Sequence, residues 1–184
     1  LMLTLGTGVG GGFVYDKKIF RGGTGFGIEP GHMAVEAGGH IACNCGQWDC
    51  LETYVSIRGL KRMTEEALLR NEETILRHCV SLGESSFNTR LIFEAATAGD
   101  KVAIEIVERF VHYLALGIRN LVVLYRPHMI LLGGGISHAG DVLLEPLRTQ
   151  VALTTVSGDV LPPPPIELSR LGNDAGVIGA AMLY

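Results

Sequence analysis

From Asp100 to about Tyr125 the apolar positions Ala103, Val107, Phe110, Val111, Leu114, Ile118, Leu121, Val122 and Tyr125 recur at helical intervals and form one stripe. Asp100 stands where an N-cap acceptor belongs and Pro127 closes the far end, so the spacing predicts one long helix. Each large side chain buried along that stripe contributes on the order of 1.5–3 kcal/mol before entropy is subtracted, which makes this the core helix. His112 falls off the stripe and reads as solvated, not as a ligand. A shorter amphipathic helix follows from Leu60, Met63, Ala67 and Leu68, with Arg58, Lys61, Arg62, Glu65 and Glu66 on the opposite face. Thr89 to Ala98 reads as a further helix capped by Asn88, and Cys79, between these two, as an ordinary free thiol.

The strand pattern is different. Leu1 to Leu5 reads as a strand that empties into the glycine run from Gly6 to Gly12. Phe13-Val14-Tyr15 reads as a second strand, turning at Asp16-Lys17-Lys18 into Ile19-Phe20 as a hairpin. His128 to Leu132 is a nearly continuous apolar run of the kind buried parallel strands carry, and it ends in Gly133-Gly134-Gly135-Ile136-Ser137. A helix from Asp141 to about Val151, an extended four-proline spacer at 162–165 and the short strand Ile166-Glu167-Leu168 come next. Gly172-Asn173-Asp174-Ala175-Gly176 then leads into a last small-residue helix ending at Tyr184. Strands alternating with helices define an α/β protein, in which ligands bind at the carboxyl ends of the strands.

Composition narrows the classes. The chain has 184 residues, 47% of them hydrophobic, enough to bury a core as one domain or one lobe of something larger. A net charge of −4 with 15 lysines and arginines carries no nucleic-acid footprint. No apolar run approaches the roughly 20 residues of a membrane-spanning helix, no targeting segment is visible, and a cytoplasmic location is expected. The opening strand has no lead-in and does not begin with methionine, which reads as a fragment. The 25 glycines cluster at loops, where close backbone approach is useful.

The chemistry concentrates between Glu29 and Glu52. His32, Cys43, Cys45 and Cys50 supply the four sulfur and nitrogen donors that a tetrahedral zinc prefers. Cys-x-Cys with a third cysteine five residues on is too tight for several disulfides; the alternative is three unpaired cysteines beside a surface histidine. Four protein ligands close the site, so such a zinc is structural. Glu29 and Glu52 flank the ligands and offer two fixed acceptors for a polyhydroxylated ligand, or else cap and solvate helix starts. Gly6, Thr7 and Gly8 form either a phosphate cradle or a plain glycine-rich turn, since the Lys-Ser/Thr of a P-loop is missing.

Taken together, Leu5-Gly-Thr-Gly-Val-Gly-Gly-Gly, Glu29-x-Gly-His32, Cys43-x-Cys45-Gly-x-x-x-Cys50-x-Glu52, Leu132-Gly-Gly-Gly-Ile-Ser and Gly172-Asn-x-Ala-Gly resemble the ROK family of sugar kinases and sugar-responsive repressors over essentially the whole chain. The resemblance implies the actin-like, ribonuclease-H-like ATPase fold of two lobes, with residues 1–184 as the carboxyl-terminal lobe and a zinc-stapled loop at 29–52. It implies that Gly6, Thr7 and Gly8 face the phosphates of Mg-ATP and that Gly133, Gly134 and Gly135 lie against the adenosine. It further implies that Glu29, His32 and Glu52 contact the hydroxyls of a hexose or N-acetylhexosamine, with His32 serving zinc and sugar at once. A β-branched residue at Gly134 is then expected to block the nucleotide without unfolding the chain.

Asp49 departs from the family pattern, which usually has glycine there; aspartate tolerates the left-handed backbone better than most residues. The catalytic aspartate and a further phosphate loop belong to the family's amino-terminal lobe. The expected protein is therefore one half of a sugar kinase, inactive alone and homo-oligomeric. The rivals are the sensing half of a repressor, whose missing end would carry a helix-turn-helix that binds DNA, and a non-catalytic zinc-stapled interaction domain.

Overall fold

The computed structural model describes residues 1–70, 73–77, 87–154, 162–172 and 174–181; the readings of Cys79, Asn173 and the helix end at Tyr184 lie outside them. Strand β1 (Met2–Leu5) alternates buried Leu3 and Leu5 with exposed Thr4, the period of a strand with one face on the core. It pairs antiparallel with β2 (Val9–Gly12), Leu5 opposite Val9. On its other side it runs parallel to a later strand, β5 (Ile130–Gly133), which in turn is parallel to β6 (Ile166–Leu168). The sheet order is β2-β1-β5-β6, and the parallel pairs place the glycine-rich ends of β1 and β5 side by side.

One element differs from the sequence reading. The run from Gly6 to Gly12 is not a single loop, because the turn spans only Gly6, Thr7 and Gly8 before β2 begins. Glycines give a strand no side-chain alternation to read; ladder hydrogen bonds alone define β2. The hairpin follows it as expected, with β3 (Val14–Tyr15) against β4 (Lys18–Ile19). Its two turn residues Asp16 and Lys17 have φ of 50° and 60°, the left-handed pair that matches strand twist.

The helices are α1 (Leu51–Val55), α2 (Ile57–Leu69), α3 (Thr89–Thr97), α4 (Lys101–Tyr125), α5 (Asp141–Thr154) and α6 (Asp174–Ala181). The Asp100 side chain accepts from Ala103 N at 3.0 Å at the start of α4. The helix ends where Arg126 turns left-handed before Pro127. Its buried face adds Val102 and Ile106 to the expected stripe, Tyr125 is partly buried, and His112 is exposed. Helices α1, α3 and α5 all pack on α4, and Leu3, Leu5, Ile130 and Leu132 join the same core from the sheet. Leu51, the residue after the ligand candidate Cys50, is fully buried and sits over Gly117 of α4. The core helix thus fixes one end of the cysteine loop.

Candidate metal centre and phosphate turn

The donor atoms of His32, Cys43, Cys45 and Cys50 lie within 4.8 Å of one another. Cys43 Sγ is 3.7 Å from His32 Nδ1, and Cys45 Sγ is 3.6 Å from Cys50 Sγ. A tetrahedron with Zn–S bonds of about 2.3 Å has edges of roughly 3.8 Å, so the spacing suits an ion of that size at the centre, and it is far too long for a disulfide. All three cysteines are free. The residues fit zinc chemically as well. Burial, with the neighbouring Cys45 and Cys43, pushes the Cys50 thiol up to about 12, while the Gln47 backbone N–H holds Cys45 below the usual thiol range. Burial thus keeps the proton on Cys50, and a bound metal would displace it. His32 presents Nδ1 to the sulfurs, which leaves the Nε2 edge of an exposed ring for another partner.

The structure joins this cluster to the Gly6–Gly8 turn through Glu52. That carboxylate is nearly buried in α1, and its Oε2 accepts from Val9 N, the residue after Gly8, at 2.9 Å. Its Oε1 pairs with Arg58 at 2.5 Å. A Cβ at Gly8 would stand 2.5 Å from Glu52 Oε2, so this position needs glycine for the clamp to form. Gly6 is held too, its carbonyl accepting from Ile57 N at 2.8 Å at the start of α2. Thr7 is exposed at the tip. Glu29, by contrast, is exposed before the 3₁₀ turn Pro30–His32, with no hydrogen bond to its carboxylate among the described residues. Arg58 was read only as a helix surface charge, because nothing in a helical wheel reports a partner on the preceding helix.

Gly133 ends β5, and Gly134 and Gly135 open the 3₁₀ turn Gly135–Ala139. Gly134 has φ of 84° and its missing Cβ would run into the Leu5 carbonyl oxygen. This corrects the expectation that a larger residue there spares the fold, because the glycine is required by the β1–β5 junction itself. Gly135 has no atom within 4 Å of its Cβ position and opens onto a cavity of about 330 Å³. Ile57, Asn88, Phe93, Ile136 and His138 help to line that cavity, so it extends from the helix that holds Gly6 to the glycine turn after β5.

The parallel strands, their glycine turns and the helices on the sheet form an α/β fold of the actin-like ATPase class, the fold of the sugar kinases to which the structure is similar. The chain belongs to the ROK family, whose model matches residues 1–184. It is 38% identical to a glucokinase of Halalkalibacterium halodurans over 191 residues, covering 100% of this chain and 55% of the relative. It is 36% identical to an N-acetyl-D-glucosamine kinase of Pasteurella multocida over 195 residues, covering 100% of this chain and 58% of the relative. The ROK family glucokinase of Streptomyces griseus, solved with glucose and AMPPNP, superposes with a TM-score of 0.86 at 32% identity, over 99% of this chain and 59% of that one. A ROK family transcriptional regulator, a homologue of the E. coli MLC protein, gives a TM-score of 0.81 at 26% identity, over 99% of this chain and 44% of that one. The chain spans little more than half the length of the curated relatives it matches.

Proposed function

We propose that residues 1–184 form the carboxyl-terminal, zinc-stapled lobe of an ATP-dependent kinase for a hexose or an N-acetylhexosamine. The observation that carries this reading is the Glu52 clamp. One carboxylate, two residues from the ligand Cys50, accepts from Val9 N directly after the Gly6–Gly8 turn, so the metal loop, a sugar acceptor and a phosphate turn are tied together. In this reading the Gly6–Gly8 turn faces the phosphates of Mg-ATP, with the Gly6 N–H closing the turn on the Gly8 carbonyl at 3.0 Å and the N–H groups of Thr7 and Gly8 left for the phosphates, and the adenosine lies in the cavity beside Gly135. Glu29 and the remaining lone pairs of Glu52 accept hydrogen bonds from the sugar, and the Nε2–H edge of His32, whose Nδ1 faces the cysteines, donates one. Zinc on His32, Cys43, Cys45 and Cys50 supplies a cross-link and no Lewis acid, since no coordination position is left open.

Glu52 is not the base that accepts the sugar proton. Its two oxygens are already committed as acceptors, Oε2 to the Val9 N–H and Oε1 to the Arg58 guanidinium, which is the arrangement of a positioning carboxylate. The base therefore comes from the rest of the intact protein, which also closes the cleft against water. Free thiols suit a reducing, cytoplasmic setting, and a homo-oligomer is part of the same reading. Gly135→Val tests the nucleotide role without the backbone conflict of Gly134. It is expected to weaken Mg-ATP binding by about tenfold or more, equivalent to about 1.4 kcal/mol, with the unfolding midpoint unchanged. Equal affinity in that variant makes the glycine turn a turn only. The similarity to a ROK regulator supports a second reading, a sugar-sensing half of a repressor. Sugar binding with no nucleotide binding favours it.

A further inference from the structure

We infer that Asp49 is a positioning residue for the metal site, gathering the two ends of the cysteine loop so that the four donors are in place before the metal arrives. The inference rests on the metal-centre reading above. Asp49 is 1% exposed, and its φ of 54° puts it in the left-handed region where glycine would serve the backbone alone. The side chain must therefore do something that glycine cannot. Oδ1 accepts from Ile41 N at 2.8 Å and from the Tyr54 hydroxyl at 2.9 Å, and Oδ2 accepts from His40 N at 2.9 Å.

The backbone of the same residue adds two more ties. Asp49 N donates to the Ile41 carbonyl at 2.8 Å, and its own carbonyl accepts from Val35 N at 2.9 Å. Ile41 lies two residues before Cys43, Val35 three after His32, and Asp49 directly before Cys50. One buried residue thus joins all three segments that carry metal donors. Tyr54 extends the tie into the core, since it is buried in α1 and stacks on Tyr113 of α4 with ring centroids 3.8 Å apart. Tyr113 donates in turn to Glu36 Oε1 at 3.1 Å, back on the loop. None of these bonds uses a donor atom of the four metal ligands, so they tie the loop through groups the metal does not need. The loop is consequently shaped by Asp49 and locked by the metal.

The test is chelator competition for zinc on the 184-residue chain at a temperature far below unfolding, comparing wild type with Asp49→Gly, Asp49→Asn and Tyr54→Phe. Glycine keeps the left-handed backbone and removes every acceptor; asparagine keeps one acceptor oxygen; phenylalanine keeps the ring stack and removes one donor. Wild type is expected to hold one zinc, Asp49→Gly to lose about 10–100-fold in affinity, and the other two variants to lose less in the same direction. A lowered unfolding midpoint with unchanged zinc affinity in all three variants overturns the inference, since that is what a role in fold stability alone produces. Should Asp49→Gly fail to fold, unchanged affinity in Tyr54→Phe and Asp49→Asn overturns it equally. A wild-type chain that holds no zinc removes the metal reading, and the inference falls with it.

Discussion

The cysteine loop and helix α4 meet at Tyr54 and Tyr113, yet they are ordered by opposite means. Helix α4 buries twelve residues along one face and needs no cross-link. Between Glu36 and Trp48 only Cys43 is buried, and even Trp48 is 54% exposed, so apolar burial cannot account for the loop's shape. The loop is instead specified by polar ties, namely the Asp49 carboxylate, and by the cluster of His32, Cys43, Cys45 and Cys50 proposed to hold a metal. The two kinds of order meet at one place, because the core helix sets Leu51 and the neighbouring Glu52 while the loop carries His32 and Glu29.

Truncating the core side should produce the largest effect. Phe110→Ala, fully buried against Phe93, is expected to cost about 3–5 kcal/mol in denaturant unfolding whether or not zinc is present. A zinc-dependent cost would break the separation between the two regions. Cys45→Ser should act on the other side. The zinc content is expected to fall well below one equivalent and protease cleavage to appear between 36 and 48, with a smaller drop in the unfolding midpoint than Phe110→Ala causes. Cleavage inside α4 would show that the regions are not independent.

Asp100 sharpens the comparison at intermediate size. Burial opposes its charge, but the N–H groups of Ala103 and Ile75 and the Thr74 hydroxyl hold its carboxyl below the usual range. A depressed folded-state value stabilises above the unfolded value, near about 3.9, and that contribution is lost as pH falls through the folded one. Asp100→Ala is therefore expected to cost about 0.5–2 kcal/mol at pH 7, with the gap to wild type narrowing below about pH 4. The smallest effect belongs to the exposed Arg90–Glu94 pair one turn apart on α3, where Arg90→Ala should leave the denaturant unfolding midpoint unchanged within error.

Much of the α4 side was legible in the chain, since a cap, a stripe and a proline are local signals and the helix ends where they say. The gathering of His32, Cys43, Cys45 and Cys50 into one cluster was legible because ligand chemistry restricts residue type and spacing. The ties between them were not. Glu52 reaches Val9 across 43 residues, and Asp49 was read only for its tolerance of a left-handed backbone, because its three donors depend on where the loop folds back. Strand β2 was hidden for a different reason, its glycines carrying no side-chain period. Gly134 looked like a ligand contact and is first a steric need of the strand beside it.

The most direct test of the central claim is a coupled assay of sugar-dependent ATP turnover, run on this chain alone and on the intact protein against a panel of hexoses and N-acetylated hexosamines. The account predicts turnover by the intact protein with at least one of these sugars and none above background by the isolated lobe, where the base and the closing half of the cleft are missing. Turnover by the isolated lobe at the intact protein's rate, or none by the intact protein despite sugar binding, would contradict it.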